Sequence, residues 1–189
     1  MTDTPLPTRE DAIALLHEWI QNPNLLKHCW AVEAAMRRYA RELGGDEERW
    51  AITGLVHDFD WERHPDAIRH PLAGVKVLRQ RGWPEDICRA VLGHASYTGV
   101  PRDTPMARAL YACDELCGFL VACALVTPHK SLDEVEVAGV RKKMKRADFA
   151  RNVNREDIVN GAAELGLDLD RHIANTLEAM RSIKGELGL

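Results

Sequence analysis

Apolar residues recur every three or four positions almost from end to end of this chain. That period, broken at intervals by glycine and proline, leaves little room for anything but a packed set of helices. Thr8, with Asp11 three residues on, caps a first helix carrying Ile13, Leu16 and Ile20. Pro23 breaks it, and Asn24 opens a second helix whose apolar stripe is Leu25, Cys29, Val32, Met36, Tyr39 and Leu43, ended by Gly44-Gly45. Asp46 to Val56 reads as a third helix closing at His57-Asp58, followed by a polar, aromatic loop from Phe59 to Arg69. His70-Pro71 starts a fourth helix through Arg81, and Pro84 a fifth that ends near Gly93-His94. Ala95 to Thr104 is a loop, and Pro105 to Val126 is a long helix stopped by Pro128. Beyond it, Ser131 caps a short helix, and Val137 to Arg151 is basic and helical in pieces. Asn154 opens a helix ending near Gly166, and Asp168 caps the last, through Ile183. No stretch alternates with the period of a strand, and nothing repeats. The expected fold is all-α, a single compact multi-helix domain over residues 1–189.

A chain of this length buries roughly 70% of its unfolded surface, enough for a real core. The net charge of −4 lacks the basic excess of nucleic-acid or membrane binders, so neither partner is expected. The basic run Arg141 to Arg146 has no interleaved aromatics and lies beside Asp133, Glu134 and Glu136, which suits a solvated helix face better than a nucleic-acid platform. The longest apolar stretch, Phe119 to Val126, is far short of a bilayer span, and Met1 to Pro7 has no apolar segment of a secretory signal. Five cysteines without a Cys-x-x-Cys pair lie mostly in apolar helical stretches, where they read as small buried thiols of a reducing compartment. A cytoplasmic protein is expected.

The histidines carry the chemistry. In chain order His28, the doublet His57-Asp58, His70, His94 and then Asp114 each sit in or at the edge of an apolar helical segment. Imidazole nitrogens and carboxylate oxygens are ligands for divalent metals. Asp114 lies in the run Leu110 to Cys117, where a buried carboxylate costs several kcal/mol unless it is paired or meets a cation. Such residues on several helices make a core metal site built from facing side chains. Each histidine alone is more often structural, as a core group or a helix-end residue; the combination points to a metal. His17, His64, His129 and His172 are expected at the surface, His64 near the mouth of the site.

This order of residues resembles the HD-domain superfamily of metal-dependent phosphohydrolases, an all-helical family named for its His-Asp doublet. The resemblance covers about residues 20–126 and leaves 127–189 as a helical extension. It implies that His28, His57, Asp58 and Asp114 bind one divalent ion. His70 and His94 resemble the extra histidines of two-metal members, with Asp58 bridging. Ala95 stands where the cyclic-dinucleotide phosphodiesterases of the superfamily have a second consecutive histidine, and their Gly-Tyr-Pro motif is missing, so that branch is disfavoured.

The resemblance therefore implies a hydrolase of a small phosphate ester, nucleotides among them, using one or two ions of Mn, Fe, Co, Ni, Zn or Mg. Asp58 would act at the reaction centre, with Asp60 and Glu62 just past the doublet as candidate acid and base. Arg63, Lys76 and Arg102 are candidate phosphate binders, and Tyr97 and Thr98 candidate rim residues. The expected partner is a small phosphorylated molecule. The C-terminal helices are free either to pack on the core or to form a homodimer face. Two other readings stay open: a di-iron oxygenase of the same superfamily, and a metal- or nucleotide-binding module without turnover.

Overall fold

The structure, a computed structural model, describes residues 6–189; Met1 to Pro5, part of the segment read against a secretory signal, lie outside them. The protein is all-α. Helices α1 (Arg9–Trp19), α2 (Pro23–Leu43), α3 (Glu47–Val56), α4 (Leu72–Gln80), α5 (Glu85–His94) and α6 (Pro105–Leu125) are followed by α7 (Val137–Met144), α8 (Arg155–Glu164), α9 (Leu169–Arg181) and α10 (Lys184–Leu187). No strand occurs among the described residues, and no helix there is long and apolar enough to cross a membrane.

The ends follow the capping chemistry of the sequence, with three differences. Thr8 and Asp11 form a reciprocal capping box at α1. Asn22 rather than Asn24 caps α2, and Pro23 is its first residue, because proline's missing N–H is harmless in the first turn. The fourth helix, α4, starts at Leu72 and leaves His70 outside it. The last helix divides, with Ser182 and Ile183 between α9 and α10.

Helix α6 is the central element and packs on α2, α5, α8 and α9. Two glycines set how closely the neighbours approach. A Cβ on Gly161 of α8 would lie 2.5 Å from Ala112 Cα of α6, and one on Gly54 of α3 3.1 Å from the Glu33 backbone of α2. At Gly161 only a hydrogen side chain fits, and at Gly54 a methyl group would fit only if the α2 backbone gave way by a few tenths of an ångström. The C-terminal helices pack back on α2 and α6, adding Ile158, Ile173, Leu177, Met180 and Leu187 to the same buried cluster as Leu16, Val32 and Leu110. All five cysteines are buried free thiols.

One sequence expectation holds here and one changes. The basic run forms the exposed end of α7, where Arg141 meets Asp170 at 3.2 Å and Arg146 meets Asp148 at 2.6 Å. His172, expected at the surface, is fully buried between α9, α2 and α6, with Nδ1 2.6 Å from Tyr39 Oη and Nε2 2.9 Å from the Ala112 carbonyl.

Candidate metal centre

Six side chains from separate elements meet at one point. His28 comes from the first turns of α2, His57 caps the C-terminus of α3, and Asp58 follows it. His70 precedes α4, His94 ends α5, and Asp114 lies mid-α6. They form two overlapping groups, His28-His57-Asp58-Asp114 and Asp58-His70-His94, each with its donor atoms within 4.8 Å of one another. Asp58 belongs to both and divides its oxygens between them. Its Oδ2 lies 3.7 Å from His28 Nε2 and 3.5 Å from His57 Nε2, while Oδ1 lies 3.3 Å from both His70 Nε2 and His94 Nε2.

The backbone fixes which atoms face inward. His57 Nδ1 donates to the Gly54 carbonyl at 2.7 Å and His94 Nδ1 to the Val91 carbonyl at 2.5 Å. His70 Nδ1 donates to Asp60 Oδ1 at 2.8 Å. A carbonyl or carboxylate can only accept, so in the neutral rings the proton sits on Nδ1 and Nε2 presents a lone pair. Three lone pairs therefore point at the oxygens of Asp58, and His70 Nε2 and His94 Nε2 stand 3.2 Å apart. Such an arrangement is repulsive by itself and suits a cation at its centre. The donors are all N and O, the chemistry of Mn, Fe, Co, Ni and Zn, so the residues fit a divalent metal.

The electrostatics show the same demand for positive charge. Burial disfavours charging His57, but Asp58 and Asp114 outweigh it and draw its pKa up to about 9. His94 is raised against burial by its contact with Asp58 and by Asp114. Burial would lift the carboxyls of Asp58 and Asp114, yet the surrounding imidazoles hold both below the usual carboxylate range.

The cluster forms the floor of a cavity of about 490 Å³, walled by Trp61, Tyr97, Tyr111, Glu115, Asn154 and Asp157. That size lies within the range of small-molecule sites.

The remaining candidates from the sequence lie elsewhere. Asp60 is fully buried and takes His70 Nδ1 on one oxygen and the Gly74 N–H, at 2.7 Å, on the other. It orients a histidine and has no open side for acid-base work. A Cβ at Gly74 would come 2.7 Å from Asp60 Cγ, so glycine is what lets this carboxylate in. Glu62 accepts the backbone N–H groups of Gln21 and Asn22 ahead of α2 and does not line this cavity. Arg63 stacks 4.0 Å over Trp19 and donates to the Glu18 carbonyl. Lys76 is exposed on α4. Arg102 pairs with Glu164 at 2.6 Å and stacks on Tyr111 from outside the cavity. All three cations expected at a phosphate are thus held away from it. Of the two rim residues, Tyr97 lines the cavity and donates to the His70 carbonyl at 3.1 Å, whereas Thr98 turns inward to the Leu92 and Ala95 carbonyls.

Sequence reasoning missed Glu115, Gly118, Asn154 and Asp157. Glu115 is one residue past Asp114 in an apolar run and was the one available signal. Burial and Asp114 push its carboxyl up to about 7, and it accepts the Asn154 N–H at 3.1 Å. Asp157 accepts from Tyr111 Oη at 2.7 Å and from Asn154 Nδ2 at 2.8 Å. Asn154 is held in place by Arg155, whose guanidinium donates to the carbonyls of Phe149, Ala150 and Val153 and gathers the preceding loop.

The fold and donor set define a helical metal-site protein, and comparison gives its family. Residues 25–118 match the HD domain, so the chain carries an HD domain. Ribonuclease Y of Oleidesulfovibrio alaskensis is similar, 31% identical over 96 residues that make up 50% of this chain and 18% of that protein. The matched part is thus less than a fifth of the relative's length. No solved structure matches.

Proposed function

We propose that this protein is a metal-dependent phosphohydrolase of a small phosphate ester. The observation that carries the reading is the pair of donor groups sharing Asp58 at the floor of an open cavity. His28, His57, Asp58 and Asp114 would hold one ion, and Asp58, His70 and His94 a second. Divalent ions there would lower the pKa of a coordinated water toward neutrality and take up charge on the phosphoryl oxygens.

The chain's own groups prepare that site. Gly54, Val91 and Asp60 lock the inward tautomer of three histidines. Trp61, edge-on to His70 at 4.8 Å between centroids, and Tyr97 form part of the wall beside the floor.

The name of the similar protein raises RNA as a substrate. Against that stands the cavity wall, which contains no lysine or arginine to track a phosphate backbone. Two metal centres sharing a carboxylate also suit a di-iron oxygenase, which keeps that reading as the runner-up.

The test is elemental analysis of the untagged protein, then phosphate release from 4-nitrophenyl phosphate with Mn, Co, Ni, Zn, Mg or Fe(II) restored to chelated protein. Metal-dependent release supports the hydrolase. Absence of release, with iron-dependent oxygen consumption instead, would move the assignment to the oxygenase.

A further inference from the structure

The cavity above the donor cluster has a lopsided charge. Four carboxylates line it, Asp58, Asp114, Glu115 and Asp157, and no lysine or arginine does. Two divalent ions would do little more than offset these carboxylates, and one ion would leave an excess of negative charge. A phosphoryl group can be neutralised at the floor, but any further anionic group on the substrate would face Glu115 and Asp157 with no counter-charge. In a partly desolvated cleft such like-charge juxtaposition excludes a ligand as effectively as a clash. Arg102, stacked on Tyr111 from outside the cavity, is already bound to Glu164.

The far wall has what an amine needs. Tyr111 and Asn154 occupy part of Asp157, and one Asn154 N–H occupies Glu115 Oε2, leaving carboxylate acceptor capacity on the cavity side. Trp61, Tyr97 and Tyr111 supply aromatic surface beside it, the kind of surface that favours a cation.

A second observation is independent of charge. Gly118 lies in the interior of α6, where glycine costs roughly 1 kcal/mol relative to alanine. Packing does not require it, because a Cβ there meets nothing within 4 Å. That contrasts with Gly161, whose Cβ would collide with Ala112. Gly118 lines the cavity one turn beyond Asp114, so what its missing side chain leaves is open space beside Glu115.

We infer that the substrate is a phosphate ester of a compact amino alcohol, with its ammonium group received by Glu115 and Asp157 in the space left by Gly118. The inference rests on the hydrolase reading for the phosphoryl end. Nucleoside di- and triphosphates are excluded by the same charge pattern.

The experiment compares 2-aminoethyl phosphate, ethyl phosphate and 2-carboxyethyl phosphate, similar in size and different in charge at the far end. With metal-loaded protein, kcat/KM is expected to favour the amino ester over the ethyl ester by at least about tenfold and to be lowest for the carboxy ester. Glu115→Gln should shrink the amino-to-ethyl ratio several-fold, and Gly118→Leu should raise KM for the amino ester more than it changes kcat. An amino-to-ethyl ratio near one, or a ratio unmoved by Glu115→Gln, overturns the inference while leaving the hydrolase intact. Calorimetric binding of the three esters to metal-loaded protein gives a readout that needs no turnover. If none is hydrolysed but the amino ester still binds about tenfold more tightly, the hydrolase reading fails and the recognition stands; equal binding overturns the recognition too.

Discussion

His57 and His172 are both fully buried histidines on helical elements of one core, yet their environments push them in opposite directions. His57 is drawn up to about 9 by two carboxylates that overcome burial. Burial takes His172 down to about 4, with only the Ala112 carbonyl opposing it. His172 has a partner on each nitrogen, Tyr39 and Ala112, and asks for nothing more. His57 has its outer nitrogen satisfied and its inner one aimed at other acceptors. A buried histidine is thus not informative by itself; what its second nitrogen faces separates a structural residue from a candidate ligand.

The sharpest way to break this contrast is to remove the shared carboxylate. Asp58→Ala should abolish metal content by elemental analysis and lower phosphate release on the order of 10³-fold or more, with helicity by circular dichroism retained. Full metal content and turnover in that variant would mean the cluster is not a metal site. Asp60→Asn is the next largest. It should weaken one of two metal equivalents by 10- to 100-fold in a titration, because it loosens His70 alone; equal weakening of both would contradict the division of the donors into two groups.

On the structural side, His172→Gln should cost about 1–3 kcal/mol in urea denaturation and leave metal content unchanged. It should also flatten a pH dependence. His172 is neutral when folded down to about pH 4 but takes a proton near 6.5 when unfolded. Between those values the unfolded chain binds the extra proton, so stability falls as pH drops from 6.5 to 4, by on the order of 3 kcal/mol, and then levels. Wild type minus variant across that window isolates the effect, and no difference would mean that His172 is hydrated. The smallest effect is that of Gly118→Ala, which should raise stability by about 0.5–1 kcal/mol because the helix gains and nothing is displaced.

Much of the site was legible because its donors are residue types that do not belong in apolar helices without a reason, as with Asp114 in the run Leu110 to Cys117. The helices were legible from period and caps, and the misplaced start of α2 turned on whether Pro23 ends a helix or begins one. The phosphate-binding arginines were misplaced for a different reason. Lying in a loop near a candidate ligand said nothing about direction, and Arg63 and Arg102 instead found partners in Glu18 and Glu164, far away in sequence. Asn154 and Asp157 were invisible because only the packing of α8 on α6 brings them to the cavity. His172 was misjudged because its partners lie 133 and 60 residues away.

The six donors come from α2, the ends of α3 and α5, the turn before α4, and α6, so that His28 meets Asp114 across 86 residues of chain. No short stretch can assemble the set, and an ion that recognises it recognises the docked helices. Ligand present at a hundred times its Kd adds about 2.7 kcal/mol to the folded state. If the cluster holds an ion, the lifetime of this protein against unfolding and proteolysis follows the metal supply of its surroundings, and starvation for the ion would thin its abundance.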